Sequence, residues 1–121
     1  MATDYDQAVR EHRIDLLYAG DELVALIELV DRGDDLLIAN LAVAPTAQRR
    51  GHGQRLLAHA EALAIELGRP QLRLYTNKQF TGTVELYIRT GFAIVREEPI
   101  KGGIKVHMHK PLQLDRPGLS G

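Results

Sequence analysis

The stretch Leu41-Ala42-Val43-Ala44-Pro45-Thr46-Ala47-Gln48-Arg49-Arg50-Gly51-His52-Gly53 joins two regions of different periodicity. Before it, Leu36 to Val43 is an apolar run of strand length. After it, Leu56, Leu57, Ala60, Leu63, Ala64 and Leu67 recur at helical spacing and predict one apolar stripe. Gly68 stops that helix where a left-handed C-cap is needed, and Pro70 lies just beyond. The junction is therefore strand, glycine turn, helix. A helix start leaves backbone N–H groups without partners and carries partial positive charge. Gly51 and Gly53 remove side chains that would block a phosphate, and Arg49 and Arg50 add charge beside it. The combination reads as a pyrophosphate cradle. Taken alone the signal is weak, because a glycine turn before a helix is common. No Gly-Lys-Ser/Thr follows, as a P-loop would require, and the three-glycine dinucleotide fingerprint is absent.

Outward from this junction the chain alternates short elements. Ile14 to Tyr18 reads as a strand, followed by the turn Ala19-Gly20-Asp21-Glu22. Leu23 to Val30 is a second strand, and the loop Asp31 to Asp35 predicts an antiparallel hairpin with Leu36 to Val43. Downstream, Leu72 to Tyr75 is a short strand, Gln79 to Arg89 a helix ended by Gly91, and Phe92 to Arg96 and Ile104 to Met108 two last strands around Lys101-Gly102-Gly103. The layout is α/β (α+β): a mixed, mainly antiparallel sheet with helices packed on its faces.

Composition bounds the function. The 121 residues predict one domain over 1–121 with its core at about 13–110. With 15 basic and 16 acidic residues the net charge is -1, unlike the basic footprint of a nucleic-acid binder. There is no cysteine, which excludes disulfides, thiolate metal sites and a cysteine nucleophile. The acidic, polar start Met1 to Asp6 is no signal peptide, and no apolar run reaches membrane-spanning length. The default expectation is a cytoplasmic protein with no membrane or nucleic-acid partner.

Two motifs together are specific. Leu41-Ala42-Val43-Ala44-Pro45 followed by Gln48-Arg49-Arg50-Gly51-His52-Gly53 resembles the acetyl-CoA-binding motif of the GNAT superfamily of N-acetyltransferases. Asn77, then Leu86-Tyr87-Ile88-Arg89-Thr90-Gly91-Phe92, resembles the second signature of that family, in the right order and spacing. The similarity runs from about Leu23 to Met108. It implies a GNAT-like acyl-CoA N-acyltransferase fold with acetyl-CoA as acetyl donor. Backbone groups of Leu41, Ala42 and Val43 would pair with the pantetheine arm, Gln48, Arg49, Arg50, Gly51, His52 and Gly53 would hold the pyrophosphate, and Asn77 would contact the cofactor. Tyr87 matches the family tyrosine that protonates the departing thiolate; a phenol stays protonated at neutral pH. The implied activity is acetyl transfer to a primary amine of a small molecule or peptide.

The chain departs from the family pattern in three places. Only about a dozen residues precede Ile14, so the helical region that usually follows the first family strand is expected to be largely missing, and a homodimer or other partner is expected over the open sheet. No titratable group stands on Leu36 to Asn40, where some members carry a general base; Glu28 is the best substitute, against the alternative of a solvent-facing carboxylate. Thr83 stands where a second asparagine is frequent. His107 and His109 share a strand face, but two ligands are too few for a metal, and none is expected. The competing reading is a catalytically weak or inactive acyl-CoA-binding module acting as sensor or assembly partner.

Overall fold

In the computed structural model, which describes residues 12–113, six strands and two helices follow the expected order. The strands are β1 (His12–Ala19), β2 (Glu22–Asp31), β3 (Leu36–Val43), β4 (Gln71–Asn77), β5 (Ala93–Ile100) and β6 (Gly103–Pro111). Helix α1 (His52–Leu67) follows β3 after a short 3-10 turn at Pro45–Ala47, and α2 (Thr81–Arg89) lies between β4 and β5. The sheet order is β1-β2-β3-β4-β6-β5. The hairpin β2–β3 is antiparallel as expected, and every neighbouring pair except β3–β4 is antiparallel.

The handedness of the crossovers decides where the helices go. Strands β3, β4 and β5 run parallel to one another, because β5 and β4 are both antiparallel to β6. The connections β3–α1–β4 and β4–α2–β5 step across the sheet in the same direction. Right-handed crossovers stepping the same way put both helices on one face. Side-chain contacts agree. Lys110 of β6 donates from Nζ to Glu61 of α1 at 2.7 Å, and the same lysine lies against Gly91 just past α2. A Cβ placed on Gly53 of α1 would sit 3.4 Å from Leu86 of α2. The expected helices on the sheet's faces therefore occupy one face only.

That face holds the core. Ile27, Leu29, Leu36, Leu72, Val106 and Met108 are the largest fully buried side chains, and Leu56, Leu57, Ala60 and Ala64 of α1 meet them. The apolar stripe predicted for α1 holds except at Leu67, which is exposed in the last turn. Past Leu67, Gly68 takes a left-handed conformation, its N–H bonding Ile65 O at 3.0 Å while Arg69 N–H bonds Ala64 O at 2.8 Å. These bonds satisfy carbonyls that the helix end leaves open. The predicted helix at Gln79 starts two residues later, because the Asn77 side chain accepts from Gln79 N–H at 2.9 Å and holds that residue in a turn.

The other face follows from register. Ile14 lies opposite Glu28, Leu16 opposite Leu26, and Glu28 opposite Asn40. Leu37 is level with Arg73, Arg73 with His109, and Tyr75 with His107. These side chains share the face away from both helices, and no described element covers them. Ile14, Leu16 and Tyr75 are accordingly exposed. The N-terminal residues 1–11, on which the expectation of missing helices rests, lie outside the described residues.

A bidentate ion pair ties the end of α1 to the sheet: Arg69 bonds both carboxylate oxygens of Asp31, at 2.7 and 2.9 Å. The Arg69 hydrogen bond holds the Asp31 carboxyl below the usual carboxylate range. A depressed folded-state pKa contributes stability above the unfolded value, and that contribution is lost as pH falls through the folded one. We therefore expect Asp31→Asn to cost about 1 kcal/mol at neutral pH. The deficit should shrink on acidification below about pH 4, as checked by urea denaturation across pH.

Candidate active site

The site begins where two strands part. β3 pairs with β4 only through Leu36, Leu37 and Ile38, opposite Leu72, Arg73 and Leu74. Just past Ile38 the register of β3 against β2 shifts, from Leu29 opposite Ile38 to Glu28 opposite Asn40, which leaves Ala39 as an extra residue. A bulge of this kind bends and twists the strand that carries it. Beyond it β3 stays with β2 and β4 stays with β6. The edge of β3 from Asn40 to Val43 that faces β4 has no strand partner among the described residues. An unpaired edge presents amide donors and acceptors that an extended, amide-bearing ligand can pair with.

At the mouth of this opening is a cleft of about 690 Å³. Leu41 and Val43 form one wall, and Gln48, Arg49, Gly51, His52 and Gly53 another. The turn is conformationally special. Arg49 has φ 66, the only positive value at a non-glycine among the described residues. Gly51 follows at φ 82 and is the N-cap of α1, with no side-chain cap. The first intrahelical bond is Arg55 N–H to Gly51 O at 3.0 Å. The N–H groups of His52, Gly53 and Gln54 thus begin the helix with no intrahelical acceptor, at its positive end. His52 Nδ1 is the one buried side-chain polar atom without a hydrogen-bond partner among the described residues. Gln48 donates from Nε2 to Val43 O at 3.4 Å and links this turn to the strand edge.

Helix α2 supplies the third wall through Gly82, Thr83, Leu86, Tyr87 and Arg89, with Phe80 just before it. Tyr87 is 6% exposed, and its ring meets Phe92 edge-on at 5.6 Å. Burial pushes its phenol up to about 12. The group is therefore protonated at any ordinary pH and acts as a donor. An extended chain of amides ending in phosphates fits this arrangement: the edge offers amide pairing, and the uncapped helix start offers anion-binding N–H groups.

The residues expected at the site divide by position. Leu41, Val43, Gln48, Arg49, Gly51, His52, Gly53 and Tyr87 line the cleft; Ala42 and Arg50 are exposed and are not part of its lining. Asn77 is outside it as well. Its amide accepts from Gln79 N–H and donates to Gly102 O at 3.4 Å, the strand-end cap that its Thr-Asn-Lys setting also suits. Glu28 lies on the uncovered face, level with Asn40 at the bulge. It is neither free nor deeply buried: its side chain is 25% exposed and its Oε2 is 2.6 Å from His12 Nε2. His107 and His109 are also engaged, with Glu98 at 3.0 Å and Gln71 at 3.1 Å, and no metal-binding cluster occurs among the described residues.

The cleft also takes in Thr83, Leu86 and Arg89, which recur every three residues along α2 and were legible as one helix face beside Tyr87. The contact of His12 with Glu28, outside the cleft, was not legible, because it depends on the β1–β2 register.

A mixed sheet with parted central strands, an uncapped helix N-terminus at the opening and a buried tyrosine define an acyl-CoA N-acyltransferase fold. Residues 10–94 match the family model of the acetyltransferase (GNAT) domain, and the chain belongs to that family, whose acetyl donor is acetyl-CoA. No curated protein sequence matches the chain significantly. The fold is similar to that of the ribosomal-protein-S18-alanine N-acetyltransferase of Escherichia coli, with TM-score 0.80 and 22% identity over 98% of this chain and 80% of that one. It is similar to a Bacillus subtilis acetyltransferase solved with CoA, with TM-score 0.75 and 23% identity over 92% and 84%. It is also similar to nourseothricin acetyltransferase, with TM-score 0.78 and 22% identity over 84% of this chain and 65% of that one. No helix of the described residues is long and apolar enough to cross a membrane.

A β-branched residue at Gly51 is strained in the left-handed conformation and should displace the helix start. Gly51→Val is expected to weaken CoA binding about tenfold or more in calorimetry. Unchanged affinity would show that this turn is not the phosphate site.

Proposed function

We propose that the chain, acting as one domain, transfers an acetyl group from acetyl-CoA to a primary amine by direct attack. One observation carries this reading: the uncapped start of α1 and the Tyr87 phenol open into the same cleft, at the place where β3 and β4 part. The pyrophosphate would rest on the N–H groups of His52 and Gly53, with Gln48 and Arg49 beside it. The pantetheine amides would pair with the free edge of Leu41 to Val43, and an N–H of that edge would polarise the thioester carbonyl. Arg50, Ala42 and Asn77 would act through the shape of the turn and strand ends.

The acceptor nitrogen forms its bond to the carbonyl carbon as the carbon–sulfur bond breaks. The Tyr87 proton goes to the sulfur, giving CoA thiol, and the phenol is reprotonated from solvent. The acceptor ammonium gives up one proton before attack and the acylated nitrogen a second as the amide forms; each passes to the Glu28 carboxylate, from which the half-exposed His12 hands it to water. Holding acceptor and thioester together supplies much of the acceleration.

The uncovered face favours a homodimer in which a second copy shields Ile14, Leu16 and Tyr18, consecutive outward positions of edge strand β1. Leu16→Glu is then expected to shift the dimer to monomer in light scattering, without changing CoA binding.

The same openness favours a second reading, an acyl-CoA-binding module without transfer. It predicts tight CoA binding with no CoA release across an amine panel.

Tyr87→Phe is expected to lower kcat about 100-fold and to leave CoA affinity nearly unchanged. Because burial pushes its phenol up to about 12, native kcat should not fall through loss of the Tyr87 proton at ordinary pH. Equal turnover in the variant would remove Tyr87 from the mechanism.

A further inference from the structure

The uncovered face of the sheet is chemically divided. Its β1–β3 half is apolar, with Ile14, Leu16, Leu26, Val30 and Leu37. Its β4–β6–β5 half is polar and carries Arg73, Lys105, His107, His109, Arg96 and Glu98. The boundary runs along Glu28 and Asn40, beside the opening between β3 and β4.

The charges on this face are not balanced. Its carboxylates are both engaged, Glu28 with His12 at 2.6 Å and Glu98 with His107 at 3.0 Å and Arg96 at 3.8 Å. Lys105 sits over the Tyr75 ring at 4.1 Å. Arg73 is different. It stands on β4 between Leu37 and His109, is half-buried, and makes no ion pair or side-chain hydrogen bond among the described residues. A guanidinium held on a sheet face without an acid beside it is a ready partner for an incoming carboxylate, which it can bind through two parallel hydrogen bonds. The neighbouring His109 uses Nδ1 on Gln71 and adds no negative charge.

We propose that the acceptor is a small amino-acid-type molecule carrying amine and carboxylate together, with its carboxylate on Arg73 and its amine at the opening beside Glu28 and Asn40. This rests on the acetyl-transfer reading and names its substrate class. Glu28 stands two strand spacings across the sheet and two residues along from Arg73, roughly 12 Å between backbones. The length of an arginine side chain lets its charge reach toward the opening. The inner apolar positions Leu26 and Leu37, away from edge strand β1, then receive the acceptor's side chain. A polyamine fits poorly, since its additional cations would face Arg73 and Lys105 with no free carboxylate to meet them.

The test pairs amino acids with their decarboxylated amines. Binding to the CoA-saturated protein is followed by calorimetry, and turnover with acetyl-CoA by thiol release. The carboxylate-bearing member of each pair should bind about 10- to 100-fold more tightly and show a correspondingly lower KM. Arg73→Gln should abolish that preference through KM rather than kcat, and Arg73→Lys should restore part of it. CoA affinity measured on the same variants verifies that they are folded. Equal binding of both members of each pair, a preference for polyamines, or a preference that survives Arg73→Gln would overturn the proposal. Carboxylate-selective, Arg73-dependent binding without turnover would support the recognition and sink the transfer reading, so the two fail separately.

Discussion

Parallel pairing between β3 and β4 lasts three residues and then stops. The constraint responsible is the extra residue at Ala39, which keeps β3 in register with β2 while turning its far end away from β4. Everything at the site depends on this divergence. It strips partners from the edge of Leu41 to Val43, opens space under the start of α1, and brings Tyr87 of α2 to a wall that a continuous sheet would have closed. In an open α/β sheet, ligands bind beyond the carboxyl ends of the strands. Here the carboxyl end of β3 runs directly into the turn that would receive the phosphates.

The same topology leaves one face of the sheet uncovered by any described element. Two right-handed crossovers stepping in one direction commit both helices to the core face. The bare face keeps the exposed Ile14 and Leu16 at one side and a surplus of cations at the other. A net charge of -1 for the whole chain conceals this, because carboxylates elsewhere, such as Glu66 and Glu85 on the helices, offset those cations in the sum. Charge matters to recognition through its local arrangement rather than its sum.

The strain and the unsatisfied groups are concentrated at one place. Arg49 in a left-handed conformation, the uncapped helix start and the unpartnered His52 Nδ1 all fall within four residues of each other. Polar groups left unpaired cost stability unless something pairs with them. Their clustering beside an open strand edge is what a phosphate-bearing ligand would repay, and it contrasts with α1's far end, where the carbonyls of Ala64 and Ile65 are both satisfied.

Much of the fold was legible in the chain because it rests on local chemistry. Periodicity located every strand and both helices, Gly68 marked the end of α1, and the Gln48 to Gly53 turn with Leu86-Tyr87 and Gly91-Phe92 pointed to the family that the comparison then established. Other features needed the fold: Asn77 carries a side chain that suits a cap as well as a ligand contact, and in the structure it accepts from Gln79 N–H and donates to Gly102 O. The pairing of Glu28 with His12, the shared face of Glu28, Asn40 and Arg73, and the commitment of both helices to one side could not be read from residue order. They depend on strand register and crossover hand: a one-residue slip in register turns strand side chains to the opposite face, and the opposite hand would place a helix there.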